Sequence, residues 1–189
     1  MVIGALALVL GWMLAVRRLP GLRRRFGAVL HDCDRRSCGE LYFACGIAFL
    51  LLLTPGEPLK YAIAVLTMTF ADAAAAIFGR LLPSTALTGP VRDKTVAGCA
   101  AFFVTALLAC ALPLAVYAER PYWQLGVAAV VFAVATTLVE ALSRRGLDNL
   151  AVPVAAWLVL TALELCAGPA TDTVREALAA LRFITGGHW

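Results

Sequence analysis

Residues 96–117, VAGCAAFFVTALLACALPLAVY, contain no charged side chain. A run of that length matches the roughly 20 apolar residues an α-helix needs to cross about 30 Å of hydrocarbon. Five further apolar segments lie at about 2–16, 40–54, 58–79, 122–142 and 149–167. Inside lipid every backbone N–H and C=O must find a partner within the protein, which leaves helices or a closed barrel. The segments lack the two-residue alternation of strands. The sequence therefore predicts an all-α fold, a polytopic transmembrane helical bundle of about six spans. Several segments are short and require tilt or local thinning of the bilayer. The first has no basic leader and no A-x-A cleavage site, so it reads as a retained membrane helix. In the tail, 170–183, Val174, Leu178 and Leu181 stand at helical spacing, which predicts a C-terminal amphipathic helix at the interface.

Composition supports one integral membrane domain over 1–189. The chain is 62% hydrophobic and 15% charged, against about 45–50% and about 25% in soluble domains. The net charge of +4 is carried by residues between the apolar segments, so it sets topology and is no nucleic-acid footprint. The first, third and fifth connections hold Arg17, Arg18, Arg23 to Arg25, Arg35 and Arg36, then Arg80, Arg92 and Lys94, then Arg144 and Arg145. The second and fourth hold only Lys60 and Arg120. The positive-inside rule then puts the odd connections in the cytoplasm and the N-terminus outside. The six cysteines form no C-x-x-C pair and read as small apolar filler.

The costly polar residues collect toward one membrane face. Asp72 sits in TFADAAAAIFGR, about two turns before the end of the third segment. A carboxylate there must face protein or water. Ala71, Ala73 to Ala76 and Gly79 allow close helix approach, and Gly79 also leaves room for a phosphate. Arg80, Arg92 and Lys94 are phosphate ligands by chemistry and topology signals by position. Thr95 suits either a helix N-cap or a ligand role. Glu140 lies near the same end of the fifth segment, and Asp148 and Asn149 open the sixth. Ser37 and Glu40 have capping-box spacing, while Arg35 and Arg36 are either topology signals or additions to a phosphate site. Carboxylates can hold Mg²⁺ that also contacts substrate phosphates, and basic groups neutralise charge in phosphoryl transfer.

Three pieces in order, ADAAAAIFGR at 71–80, KTVAG at 94–98 and VEALSRRGLDNLAVP at 139–153, resemble the CTP-dependent lipid kinases: phytol kinase, dolichol kinase and yeast-type diacylglycerol kinase. The resemblance covers about 35–165. It implies a membrane enzyme that moves the γ-phosphate of CTP to a membrane-held alcohol (phytol, a polyprenol or diacylglycerol) with Mg²⁺ or another divalent cation. Asp72, Gly79 and Arg80 match its first motif, Lys94, Thr95 and Gly98 its second, and Glu140, Asp148 and Asn149 its third. On that basis Asp72 and Asp148 are expected on the metal and Arg80 and Lys94 on phosphate oxygens. Asn149 supports them, and Glu140 is the candidate base. No G-x-x-x-x-G-K-[ST] loop is present.

Two other readings compete. Phosphatidate cytidylyltransferase also pairs a GR step with a later KT step, but its long carboxy-terminal signature is absent here. A transporter or structural bundle would also keep buried carboxylates, yet transport favours charges near the membrane centre and internal repeats, and neither is evident.

Overall fold

A computed structural model describes Gly11 and residues 39–87, 94–118, 120–144 and 146–166. The segment 2–16 (Gly11 apart), the tail 170–183, Ser37, Arg35, Arg36 and Arg92 lie outside the described residues. Five helices follow one another in antiparallel fashion: α1 (Gly39–Leu53), α2 (Pro58–Leu81), α3 (Val96–Tyr117), α4 (Tyr122–Leu142) and α5 (Asp148–Cys166). The last four are long and apolar enough to cross a membrane. At 15 residues α1 is shorter, about 22 Å at helical rise. The described residues thus hold four helices of spanning length, and α1 is a shorter apolar helix.

Their bounds follow from local chemistry. Pro55-Gly56 makes the turn between α1 and α2: Gly56 takes φ 81°, and the Glu57 N–H donates to the Thr54 carbonyl at 3.1 Å. Only glycine adopts that backbone cheaply. Pro58 then opens α2, where its missing N–H costs nothing. Gly146, at φ 82°, plays the same part between α4 and α5, with the Leu147 N–H on the Arg144 carbonyl at 3.0 Å. Several hydroxyls are satisfied by the backbone of the preceding turn, whereas Thr161 Oγ1 in α5 is buried without a partner among the described residues. Thr67, Thr136 and Ser143 each donate to the carbonyl four residues back, at 2.6–2.8 Å.

Small residues set the helix spacing. Ala64, Ala106, Ala129, Ala133 and Ala156 are fully buried, with Phe102, Phe132, Leu50 and Ile63 filling the space between them. Cys110 is buried among them as apolar filler. Large apolar side chains such as Leu108, Leu112, Val116, Leu138 and Leu158 point outward, as lipid-facing positions do. Helix α3 packs on α2 and α4, and α5 packs on α1, α2 and α4.

The α1–α5 contact is close at Gly46. Pro153 has no N–H, so the Asn149 carbonyl lacks its usual helical donor. Gly46 brings bare backbone against that carbonyl: a Cβ there would lie 2.6 Å from it and 2.9 Å from Pro153 Cγ. Gly46→Ala must push α1 away from α5. We expect a loss of about 1–3 kcal/mol, the usual range for overpacking, read as a lowered thermal midpoint in detergent; an unchanged midpoint would mean the two helices slide apart freely.

A candidate acidic site at one end of the bundle

The end of the bundle where α2 and α4 finish and α1, α3 and α5 begin gathers the polar residues. Helix α2 is interrupted by a π-turn, Thr67–Ala71, and Asp72 is the first residue after it. A π-turn carries one extra residue and often lies beside a functional group. It turns Asp72 toward α4 and α5. The carboxylates of Asp72, Glu140 and Asp148 each offer an oxygen within 4.8 Å of the other two. They come from three different helices.

Lys94 closes the group. Its Nζ donates to Glu140 Oε1 in a short hydrogen bond and to Asp148 Oδ2 at 3.2 Å. Glu140 is 2% exposed, Asp148 16% and Lys94 23%, so the charges sit at graded depth. Burial alone would lower the lysine pKa. The hydrogen bond to Glu140 and the charges of Glu140 and Asp148 outweigh it, and the net shift is upward from 10.5. A raised folded value means the pairing is at full strength below the ordinary lysine value and fades as pH rises through the folded one. The site keeps its ammonium throughout the neutral range.

The backbone around Lys94 is fixed. Ala86 and Thr95 form an isolated antiparallel bridge, and the Leu87 N–H donates to the Lys94 carbonyl at 2.9 Å. The free N–H groups of α3 all find protein acceptors: Val96 on the Thr85 carbonyl, Ala97 on Ser84 Oγ and Gly98 on Thr95 Oγ1 at 3.1 Å. Thr95 is therefore the N-cap of α3, and the Gly98 N–H is committed to that cap. Gly79 and Gly98 face each other where α2 crosses α3; a Cβ on Gly79 would stand 2.9 Å from Thr95 Oγ1 and 3.5 Å from Gly98 Cα. These glycines hold the capped loop against α2, which sets where Lys94 emerges.

Asp148 is held from both sides. Its Oδ1 accepts from the Asn149 N–H at 3.1 Å, and its Oδ2 takes Lys94. The Asn149 side chain donates to the Gly39 carbonyl at 3.2 Å, tying α5 to α1. Asp72 has no hydrogen bond or ion pair to a described residue. Glu140, expected as a base, is the more enclosed of the two carboxylates that Lys94 engages, and its Oε1 accepts from Lys94. Arg80 lies exposed in the last turn of α2, without an ion pair to a described residue.

A narrow cleft lined by Met68, Asp72, Phe102, Asp148, Asn149 and Val152 reaches the cluster. It is too tight to hold a water molecule. No protein-family model, curated protein or solved structure matches this chain. The three carboxylates are hard oxygen donors of the kind that hold Mg²⁺ or Ca²⁺. Glu140 Oε2 is buried without a hydrogen-bond partner, so it has capacity left for a cation. The carboxylates are thus of the donor type a divalent ion takes, and Lys94 engages two of the three.

A second charged group lies at the opposite end. Lys60, 7% exposed, pairs with Glu57 at 3.2 Å and with Glu164 at 2.5 Å, pinning the start of α2 to the end of α5. The sequence treats Lys60 only as a loop charge. The signal available is a lysine two residues into an apolar helix, which has to find a partner.

Proposed function

We propose that this chain is a membrane lipid kinase that transfers the γ-phosphate of CTP to a membrane-embedded alcohol. One observation carries the reading. Asp72, Lys94, Glu140 and Asp148, one or more from each of the three resembling segments, meet at one end of the bundle, with the carboxylates within 4.8 Å of one another. Residues up to 76 positions apart in sequence have no packing reason to bring like charges together in an apolar bundle, where their repulsion is poorly screened.

In this reading Asp72 and Asp148 hold a divalent cation such as Mg²⁺, which neutralises charge on the transferring phosphoryl group. Glu140 acts as a buried fixed charge. Arg80, exposed at the rim, meets the outer phosphates of the nucleotide. The cleft has to widen before it admits either substrate. The basic residues in the connections on this side support a cytoplasmic active face, where CTP is available.

The test uses purified protein, a panel of lipid alcohols, and CTP labelled separately at the α and γ positions. Label is expected in lipid from the γ position only, and only with Mg²⁺ present. Lipid carrying α label would instead mark a cytidylyltransferase. No transfer from CTP or ATP to any alcohol would reject the kinase reading.

A further inference from the structure

The chain has just two lysines, Lys60 and Lys94. Lys94 lies where a cation bound by the three carboxylates would need its ligands. Its Nζ is bonded to Glu140 Oε1 and to Asp148 Oδ2, and Asp72 lies within 4.8 Å of both carboxylates. Mg²⁺ needs oxygens at roughly 2.0–2.1 Å and Ca²⁺ at roughly 2.3–2.6 Å. An ammonium hydrogen-bonded to two of the same carboxylates would then stand beside an ion of like charge. Glu140 is 2% exposed, so little water screens that repulsion.

The lysine also leaves the site incompletely satisfied. Glu140 Oε2 is buried without a hydrogen-bond partner, and Asp72 has none among the described residues. An ammonium has one charge and three donors; a divalent ion offers two charges and more ligand positions. Exchange would need little rearrangement. The Lys94 backbone is anchored by the Leu87 N–H and by the capping residue Thr95, so its four-carbon stem can swing alone. At 23% exposure it already reaches the rim.

We propose that Lys94 is an internal counter-ion that trades places with the divalent cation. The ammonium holds Glu140 and Asp148 while no cation is bound. Cation binding releases it to the mouth of the cleft, where it meets phosphate oxygens. The site is thereby assembled in order, metal first and phosphate contact second. This inference rests on the cation site of the proposed kinase and adds to it the coupling between metal and lysine.

The experiment follows the two lysines in the full-length protein in detergent, without nucleotide. An amine-acylating reagent is applied across a Mn²⁺ titration, and mass spectrometry reads each lysine. Mn²⁺ binding is followed in parallel by its paramagnetic resonance signal. Acylation of Lys94 is expected to rise severalfold with the bound fraction, while Lys60, buried at the far end with Glu57 and Glu164, stays constant. Lys94→Met is expected to bind Mn²⁺ at least tenfold more tightly. If Mn²⁺ binds and Lys94 stays protected, the exchange is wrong and the metal site stands. If Mn²⁺ does not bind at millimolar concentration, the metal site and the exchange fall together. The wild-type labelling decides even if the methionine variant does not fold.

Discussion

Lys94→Met is expected to destabilise the bundle by about 3–5 kcal/mol, the usual cost of removing one partner from a buried ion pair. The reason is Glu140. Its carboxylate is 2% exposed, Oε2 has no hydrogen-bond partner, and Lys94 supplies the partner of Oε1. Methionine keeps the bulk of the lysine stem, so the loss is one of charge rather than volume. Adding Glu140→Gln removes the stranded charge. The double variant is therefore expected to regain most of the stability, because an isosteric neutral pair is often close to neutral overall. Reversible unfolding of both variants in detergent gives the comparison. A double variant no more stable than Lys94→Met would show that the stranded Glu140 charge is not what destabilises the single variant.

The apolar architecture was legible because lipid is a demanding solvent. The segments 96–117 and 122–142 coincide with Val96–Tyr117 and Tyr122–Leu142, and 58–79 and 149–167 differ from their helices by one or two residues at an end. Each boundary has a local cause in the sequence: Pro58, Thr95, Gly146. The residues of the site were legible one at a time, since a carboxylate in an apolar helix stands out. Their pairing was not. Lys94 was expected on phosphate, and it sits on Glu140 and Asp148, 46 and 54 positions away. That contact depends on Gly79 meeting Gly98, a property of how two helices cross. Nothing within either segment states it. Gly46 is similar: its neighbours in sequence give no hint that the Asn149 carbonyl lies against it.

The π-turn was the least legible element, and it sets the site. TMTFA has no glycine, proline or charge to mark it. It lies between two anchored halves. Ile63 and Ala64 bury the first half of α2 in the core, and Lys60 pins its start to Glu164. Gly79 packs the second half against Gly98. The extra residue of the turn sets the rotation of the second half relative to the first.

Deleting Thr69 from that turn is expected to abolish Mg²⁺-dependent transfer as completely as Asp72→Asn does. The Thr69 side chain is exposed and makes no hydrogen bond to a described residue, so its removal sacrifices no side-chain contact. It leaves regular α-helix, and the residues beyond rotate by about 100°, one residue's share of a 3.6-residue turn. Asp72 and Gly79, seven residues apart, lie on one face and move together. The carboxylate leaves Glu140 and Asp148, and the glycine leaves Gly98. Misplacing a reacting constellation by even 1 Å costs about 10²-fold, and this rotation carries Asp72 farther. Asp72→Asn reaches the same loss by another route. It keeps the geometry and removes the charge. Because Asp72 has no partner to lose and two carboxylates to repel it, that variant should be at least as stable as the parent, whereas the deletion should be less stable. Transfer rates and unfolding midpoints measured on both variants separate charge from position. A deletion that kept the parent rate would show that Asp72 reaches the cluster without the turn, and the assignment of its orientation to the π-turn would be wrong.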